Sequence, residues 1–148
     1  MNYEILKKEI MADEGYSNKI YLDHLGYPTV GIGHLIKKDE PEYGSKNLGK
    51  FITDERITEL FINDVEVAIK DCKKLFPNFE SMPEDIQHIL VNMIFNLGFT
   101  RFSKFKKFKI AIDARNWKQA AIEGQDSLWY NQVPNRAQRL MERLRNGK

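Results

Sequence analysis

Between Pro83 and Gly98 the chain carries a segment that is apolar on almost every side of a helical repeat, through Ile86, Ile89, Leu90, Val91, Met93, Ile94, Phe95 and Leu97. Proline is accepted in a first helical turn and glycine past the last one, so the punctuation predicts a helix over residues 83–97. A helix without a polar face has to be enclosed by other helices. Candidates to enclose it are present. Thr53 caps a helix with Asp54 and Glu55 in its first turn and a stripe of Ile57, Leu60, Phe61, Val65, Ala68, Ile69 and Cys72. Further amphipathic segments follow at 103–112, 116–123 and 134–146, the last opened by Pro134.

The first fifty residues read differently. Tyr3, Leu6 and Ile10 keep helical spacing, and Gly15 is a C-terminal stop, which predicts a helix over 2–14 with Glu14 in its last turn. The runs NKIYLD and YPTVGIGH, separated by His24, Leu25 and Gly26, predict a hairpin in which Pro28 takes an edge or strand-start position. Gly31 and Gly33 are expected on one face of the return strand with His34 on the other. The polar stretch from Lys37 to Lys50 reads as a connection between lobes. The expected class is therefore α+β and mostly helical. It is one domain over 1–148, with a small hairpin-bearing lobe at 12–52 and a larger helical lobe at 53–148 joined by the N-terminal helix.

Composition narrows the function. Cys72 is the only cysteine and no Cys/His cluster has zinc-ligand spacing, so neither a disulfide nor a metal or other cofactor is expected; Cys72 reads as a small buried hydrophobe. No apolar run approaches the roughly 18 residues of a spanning helix, and the mixed-charge start lacks a secretory h-region, so stable membrane insertion and a signal peptide are not expected. Residues 101–148 hold 12 Lys+Arg against 4 Asp+Glu, and the first hundred hold 11 against 17. The basic third is either a solvated surface or a face for a polyanion such as nucleic acid, an anionic membrane or a carboxylate-bearing wall polymer.

Glu14 and Asp23 are an acidic pair delivered by different elements. Glycosidic cleavage needs one carboxyl to protonate the leaving oxygen and another to activate water or attack the sugar. Glu14, at a helix C-terminus where the dipole disfavours negative charge, suits the acid, and Asp23, beside a turn, suits the ionised partner. Thr29, on the return strand, can hold the attacking water through its hydroxyl. Asp64 interrupts the apolar stripe of its helix and needs a partner, for which His34 is the candidate. Asn92 and Asn96, one turn apart, either line a cleft or make buried structural bonds. Arg136 and Arg139 occupy early turns of a helix, where a specific partner would offset the dipole. Phe99, Phe102, Phe105 and Phe108, interleaved with lysines, form either a core-packing face or a stacking surface.

The run EGYSNKIYLDHLGYPTVGIGH resembles the signature of the phage-type lysozymes, glycoside hydrolase family 24, which include those of the T-even bacteriophages. The match falls on Glu14, Gly15, Asp23, Thr29, Gly31, Gly33 and His34; NMIFNLG at 92–98 and WYNQVPNRAQR at 129–139 resemble two further motifs in family order. The resemblance implies a lysozyme-like fold and hydrolysis of the β-1,4 bond between N-acetylmuramic acid and N-acetylglucosamine of bacterial peptidoglycan, with inversion. Glu14 would be the acid, Asp23 the base or electrostatic stabiliser, and Thr29 the residue that orients water. By the same matching Arg136 would bond Glu14, His34 would pair with Asp64, and Leu35 and Phe95 would line the saccharide cleft. A monomeric endolysin is implied, without a nucleic-acid partner, held in the host cytoplasm until a holin opens the way to the periplasmic wall. The alternatives are a lytic transglycosylase and a non-catalytic wall-binding protein. The connection between His34 and Thr53 is shorter than in the T-even enzyme and the chain stops earlier, while Phe108 and Glu123 replace small polar residues.

Overall fold

The computed structural model describes residues 1–147. Helix α1 spans Tyr3–Glu14. A three-stranded antiparallel sheet follows in the order β1 (Ser17–Leu22), β2 (Pro28–Gly31), β3 (His34–Leu35). The remaining helices are α2 (Asp54–Leu75), α3 (Glu84–Leu97), α4 (Phe99–Phe102), α5 (Lys106–Asp113), α6 (Trp117–Gln125), α7 (Leu128–Gln132) and α8 (Pro134–Arg145). This is the α+β, mostly helical, lysozyme-like architecture expected. The chain forms two compact units, one of Met1–Leu6 with the chain from Val67 onward and the other of Lys7–Glu66, so the division falls within α1 and α2. The polar stretch from Lys37 to Lys50, expected as a connection between lobes, lies wholly inside the second unit.

In the first unit α3 is enclosed as its composition demands. Ile86, Ile89, Leu90, Val91 and Met93 are fully buried. Gly98, at φ 80°, ends the helix, and its N–H bonds the Ile94 carbonyl at 2.7 Å. The phenylalanines at 102, 105 and 108 pack as a core cluster with Phe76, ring centroids 5.8–6.3 Å apart, mostly edge-on. Phe108 is therefore core, and the stacking-surface alternative falls for Phe102 and Phe108. Cys72 is fully buried, and burial raises its thiol well above the usual range, as a packing cysteine requires.

In the second unit the sheet has two unlike faces. Ile20, Val30 and Ile36 form a buried cluster with Leu60 of α2, and Ile52 packs against it. Tyr21, Thr29 and Leu35 are direct cross-strand partners, a row across all three strands. Such partners share a face. Thr53 caps α2 as expected, its hydroxyl accepting the Arg56 N–H at 3.2 Å.

The expectation that Gly31 and Gly33 alternate along one strand is corrected. β2 ends at Gly31, residues 32 and 33 form a turn, and both glycines have positive φ, 69° and 68°. β-Branched neighbours made the run read as extended, yet the left-handed backbone at both glycines reverses the chain. A Cβ on Gly31 would lie 2.8 Å from Cγ2 of the buried Ile57. Ile57→Ala is expected to lower stability by about 2–4 kcal/mol. Gly31→Ala should cost less in that background than alone, because the clash is gone and only the backbone strain remains; a urea double-mutant cycle measures the difference.

Candidate active site

Glu14 is the last residue of α1, and Gly15, at φ 76°, turns the chain away into β1. The Glu14 carboxyl lies against the turn that follows β2, where a Cβ on Gly33 would sit 2.7 Å from its Oε1. Glycine at 33 therefore serves twice, supplying the turn backbone and leaving room for the carboxyl.

Asp23 occupies the turn that precedes β2. Its backbone N–H bonds the Tyr27 carbonyl at 2.9 Å, and its Oδ1 accepts the N–H groups of Leu25 at 2.9 Å and Tyr27 at 2.8 Å. Two backbone donors on one oxygen fix the carboxylate. Thr29 lies on β2 between these two ends. It is 3 % exposed, flanked by Tyr21 and Leu35, which are 39 % and 53 % exposed. Its hydroxyl donates to the Tyr27 carbonyl at 3.0 Å, so the oxygen lone pairs are what it can offer to a water. The structure thus brings Glu14, Asp23, Thr29, Gly33 and Leu35 together around one four-residue strand.

His34, paired with Val30 on the opposite face, anchors this arrangement. Its Nδ1 lies 2.7 Å from Oδ2 of Asp64 on α2, as expected, and its Nε2 lies 2.8 Å from Oε1 of Glu40. Glu40 was missed in the sequence; its only signal is its place six residues after His34 in a polar stretch. Glu40 also accepts the Lys37 N–H at 2.6 Å, and Arg56 lies 4.0 Å away while bonding Glu42. Burial pulls the His34 imidazole down, but the hydrogen bonds and fields of Asp64 and Glu40 outweigh it and leave the residue above its ordinary value. For Glu40, burial is likewise outweighed by the Lys37 N–H and the imidazole, which hold it below the usual carboxylate range.

The other expected residues belong to the first unit. Asn92 is fully buried, its Oδ1 accepting the Arg136 Nε–H at 2.8 Å, so the structural alternative replaces the cleft-lining one for it. Asn96, half-buried, accepts the Trp129 indole N–H at 2.8 Å. Arg136 is buried beside Asn92, and Phe95 is half-buried at the end of α3.

The fold is that of a lysozyme-like α+β protein, and comparison with known proteins agrees. The family model described as phage lysozyme matches residues 11–146, and this chain belongs to that family. It is 31% identical to probable T4-type lysozyme 2 of Dictyostelium discoideum over 96% of this chain and 94% of that protein. It is 32% identical to the endolysin of Salmonella phage P22 over 75% of this chain and 79% of the endolysin. A further relative is the pre-baseplate central spike protein Gp5 of Enterobacteria phage T4, 37% identical over 88% of this chain, which spans only 26% of that protein.

Two outcomes follow from the geometry. Gly33→Ala should reduce turnover by about tenfold or more by displacing Glu14, while costing only about 1–3 kcal/mol of stability for the strained backbone, measured by kinetics and urea melts on one preparation. His34 contributes stability that is present below its ordinary value of 6.5 and lost as pH rises through its raised folded value. Glu40 contributes stability present above its ordinary 4.5 and lost as pH falls through its lowered value. The urea-midpoint advantage of wild type over His34→Gln should therefore peak between these ordinary values, 4.5 and 6.5, and shrink on either side.

Proposed function

We propose that this protein is an endolysin-type muramidase that hydrolyses the β-1,4 bond between N-acetylmuramic acid and N-acetylglucosamine of bacterial peptidoglycan with inversion at the sugar. The observation that carries the reading is the order of groups along β2: the Glu14 carboxyl at the turn after the strand, the Asp23 carboxylate at the turn before it, and Thr29 between them. Glu14 protonates the leaving glycosidic oxygen. Asp23 takes a proton from a water that attacks the anomeric carbon, and Thr29 accepts a hydrogen bond from that water. An inverting pair must leave room for the water, roughly 6.5–9.5 Å between carboxyls, and carboxyls at opposite ends of a strand suit this better than neighbours in one turn.

Leu35, exposed beside Thr29, lines the saccharide path in this reading. The relationship to a phage endolysin supports a role in host lysis; the reading further takes the enzyme to be a monomer that reaches the wall after a holin acts. Among the described residues, no helix is long and apolar enough to cross a membrane.

Reducing-end release from purified peptidoglycan tests the proposal. Wild type should release saccharide ends, and Glu14→Gln, which keeps the side-chain shape but cannot donate the acid proton, should lower the rate by at least about 10²-fold with its melting temperature retained. Near-wild-type release by Glu14→Gln would remove the acid from the mechanism; no release by folded wild type would favour a wall-binding protein.

A further inference from the structure

We propose that Lys19 and Phe51 form a binding site for the carboxylate-bearing peptide stem of the wall polymer, on the sheet face that carries Thr29 and outward from it. The proposal deepens the muramidase reading above and rests on it for the identity of the polymer.

The site is made at a strand edge. β1 pairs with β2 along one side. Along its other side it takes up residues 49–52: the Ile20 N–H bonds the Lys50 carbonyl at 3.0 Å, the Gly49 N–H bonds the Ile20 carbonyl at 2.8 Å, and the Ile52 N–H bonds the Asn18 carbonyl at 2.8 Å. Lys19 and Phe51 face each other in this pairing as an antiparallel bridge. Ile20 belongs to the buried cluster and Ile52 packs against it, so strand alternation sends Lys19, Tyr21 and Phe51 to the opposite face, where Tyr21 is the partner of Thr29. Phe51 is 69 % exposed there.

A single exposed ring is ordinary on a protein surface. Here the Lys19 ammonium lies 4.8 Å from the ring centroid, within the range of cation–π attraction. The ring holds the lysine in place, so less side-chain freedom is lost when an anion arrives, and the ammonium still has its three donors to offer. With the ammonium over the ring, the pair suits an acidic chain with small apolar groups better than a sugar stacked on the phenyl face. Reach selects the peptide. Phe51 stands two strand spacings and two residues along β1 from Thr29, roughly 12 Å. A lactyl carboxyl stays within a few bonds of the ring that bears it, whereas an extended peptide covers that distance in about four residues.

The test measures affinity without turnover. Every variant is made in the Glu14→Gln background, and NMR titration gives Kd for two soluble glycan strands of equal length, one bearing peptide stems and one stripped of them by an amidase. Stem-bearing strands should bind about fivefold more tightly than stripped ones, the upper end for an exposed ion pair. Lys19→Gln and Phe51→Ala should each bring that ratio below about twofold and leave the Kd of the stripped strand as it was. Lys19→Gln alters only an exposed charge, so it carries the test should Phe51→Ala loosen the edge. Lys50→Gln, one residue from Phe51 and on the side of Ile52, should leave the ratio intact.

A ratio unmoved by Lys19→Gln would overturn the proposal. So would an equal loss of affinity for stripped strands, which would assign the pair to the sugar or its lactyl carboxyl. Wild type on the same stem-bearing strands, scored for reducing-end release, separates the two levels. Release together with an unmoved ratio removes only the Lys19–Phe51 site, whereas no release by folded wild type removes the muramidase reading beneath it.

Discussion

The imidazole of His34 is gripped at both nitrogens, by Asp64 of α2 and by Glu40 of the loop that follows β3, and the small sheet depends on that grip. Three strands of six, four and two residues have too little hydrogen bonding to hold a register alone. Their apolar face supplies Ile20, Val30 and Ile36 against Leu60, and His34, opposite Val30, adds a polar attachment to the same helix. With one face fastened, the period-two geometry of the strands commits Tyr21, Thr29 and Leu35 to the other. A slip of one residue would turn Thr29 into the core and Val30 out of it. The histidine is thus remote from the chemistry in face but governs where the chemistry sits.

Glycine chemistry completes what the histidine begins. The turn at 32–33 must be tight enough to bring β3 back beside β2, and its outer surface must be bare enough to accept the end of α1. Gly33 satisfies both conditions, and the Glu14 Oε1 lies only 2.7 Å from where any other residue would place its Cβ. The reach of Glu14 is therefore set by two backbone stops, Gly15 ending its helix and Gly33 clearing its landing place. Asp23 is set differently, by two N–H groups of its own turn, so the two carboxyls are oriented by independent local structures on either side of Thr29.

Much of this was legible in the residues. Pro83 and Gly98 marked α3 to within a residue, the α2 stripe named its buried face, and Asp64 within that stripe announced its need for His34. The phenylalanine repeat after Gly98 could be read two ways, and burial of Phe102 and Phe108 chose packing. What stayed hidden depends on tertiary placement or on backbone sign. Thr-Val-Gly-Ile-Gly has strand composition, and nothing in it shows that both glycines take positive φ. Glu40 sits in a polar stretch where any of several acids could have met an imidazole. Asn92 carries a side chain equally suited to a cleft or a buried bond, and the packing of α8, which brings Arg136 to it, decides.

The central claim is that two separately oriented carboxyls and a threonine between them direct water onto a sugar carbon from the side opposite the leaving group. The anomeric configuration of the first-formed reducing end, followed by proton NMR during early cleavage of a soluble peptidoglycan oligosaccharide, tests it most directly. The account predicts that the α-anomer appears first and then mutarotates. First appearance of the β-anomer, which requires a covalent intermediate, or of a non-reducing anhydro sugar, which requires no water, would contradict it.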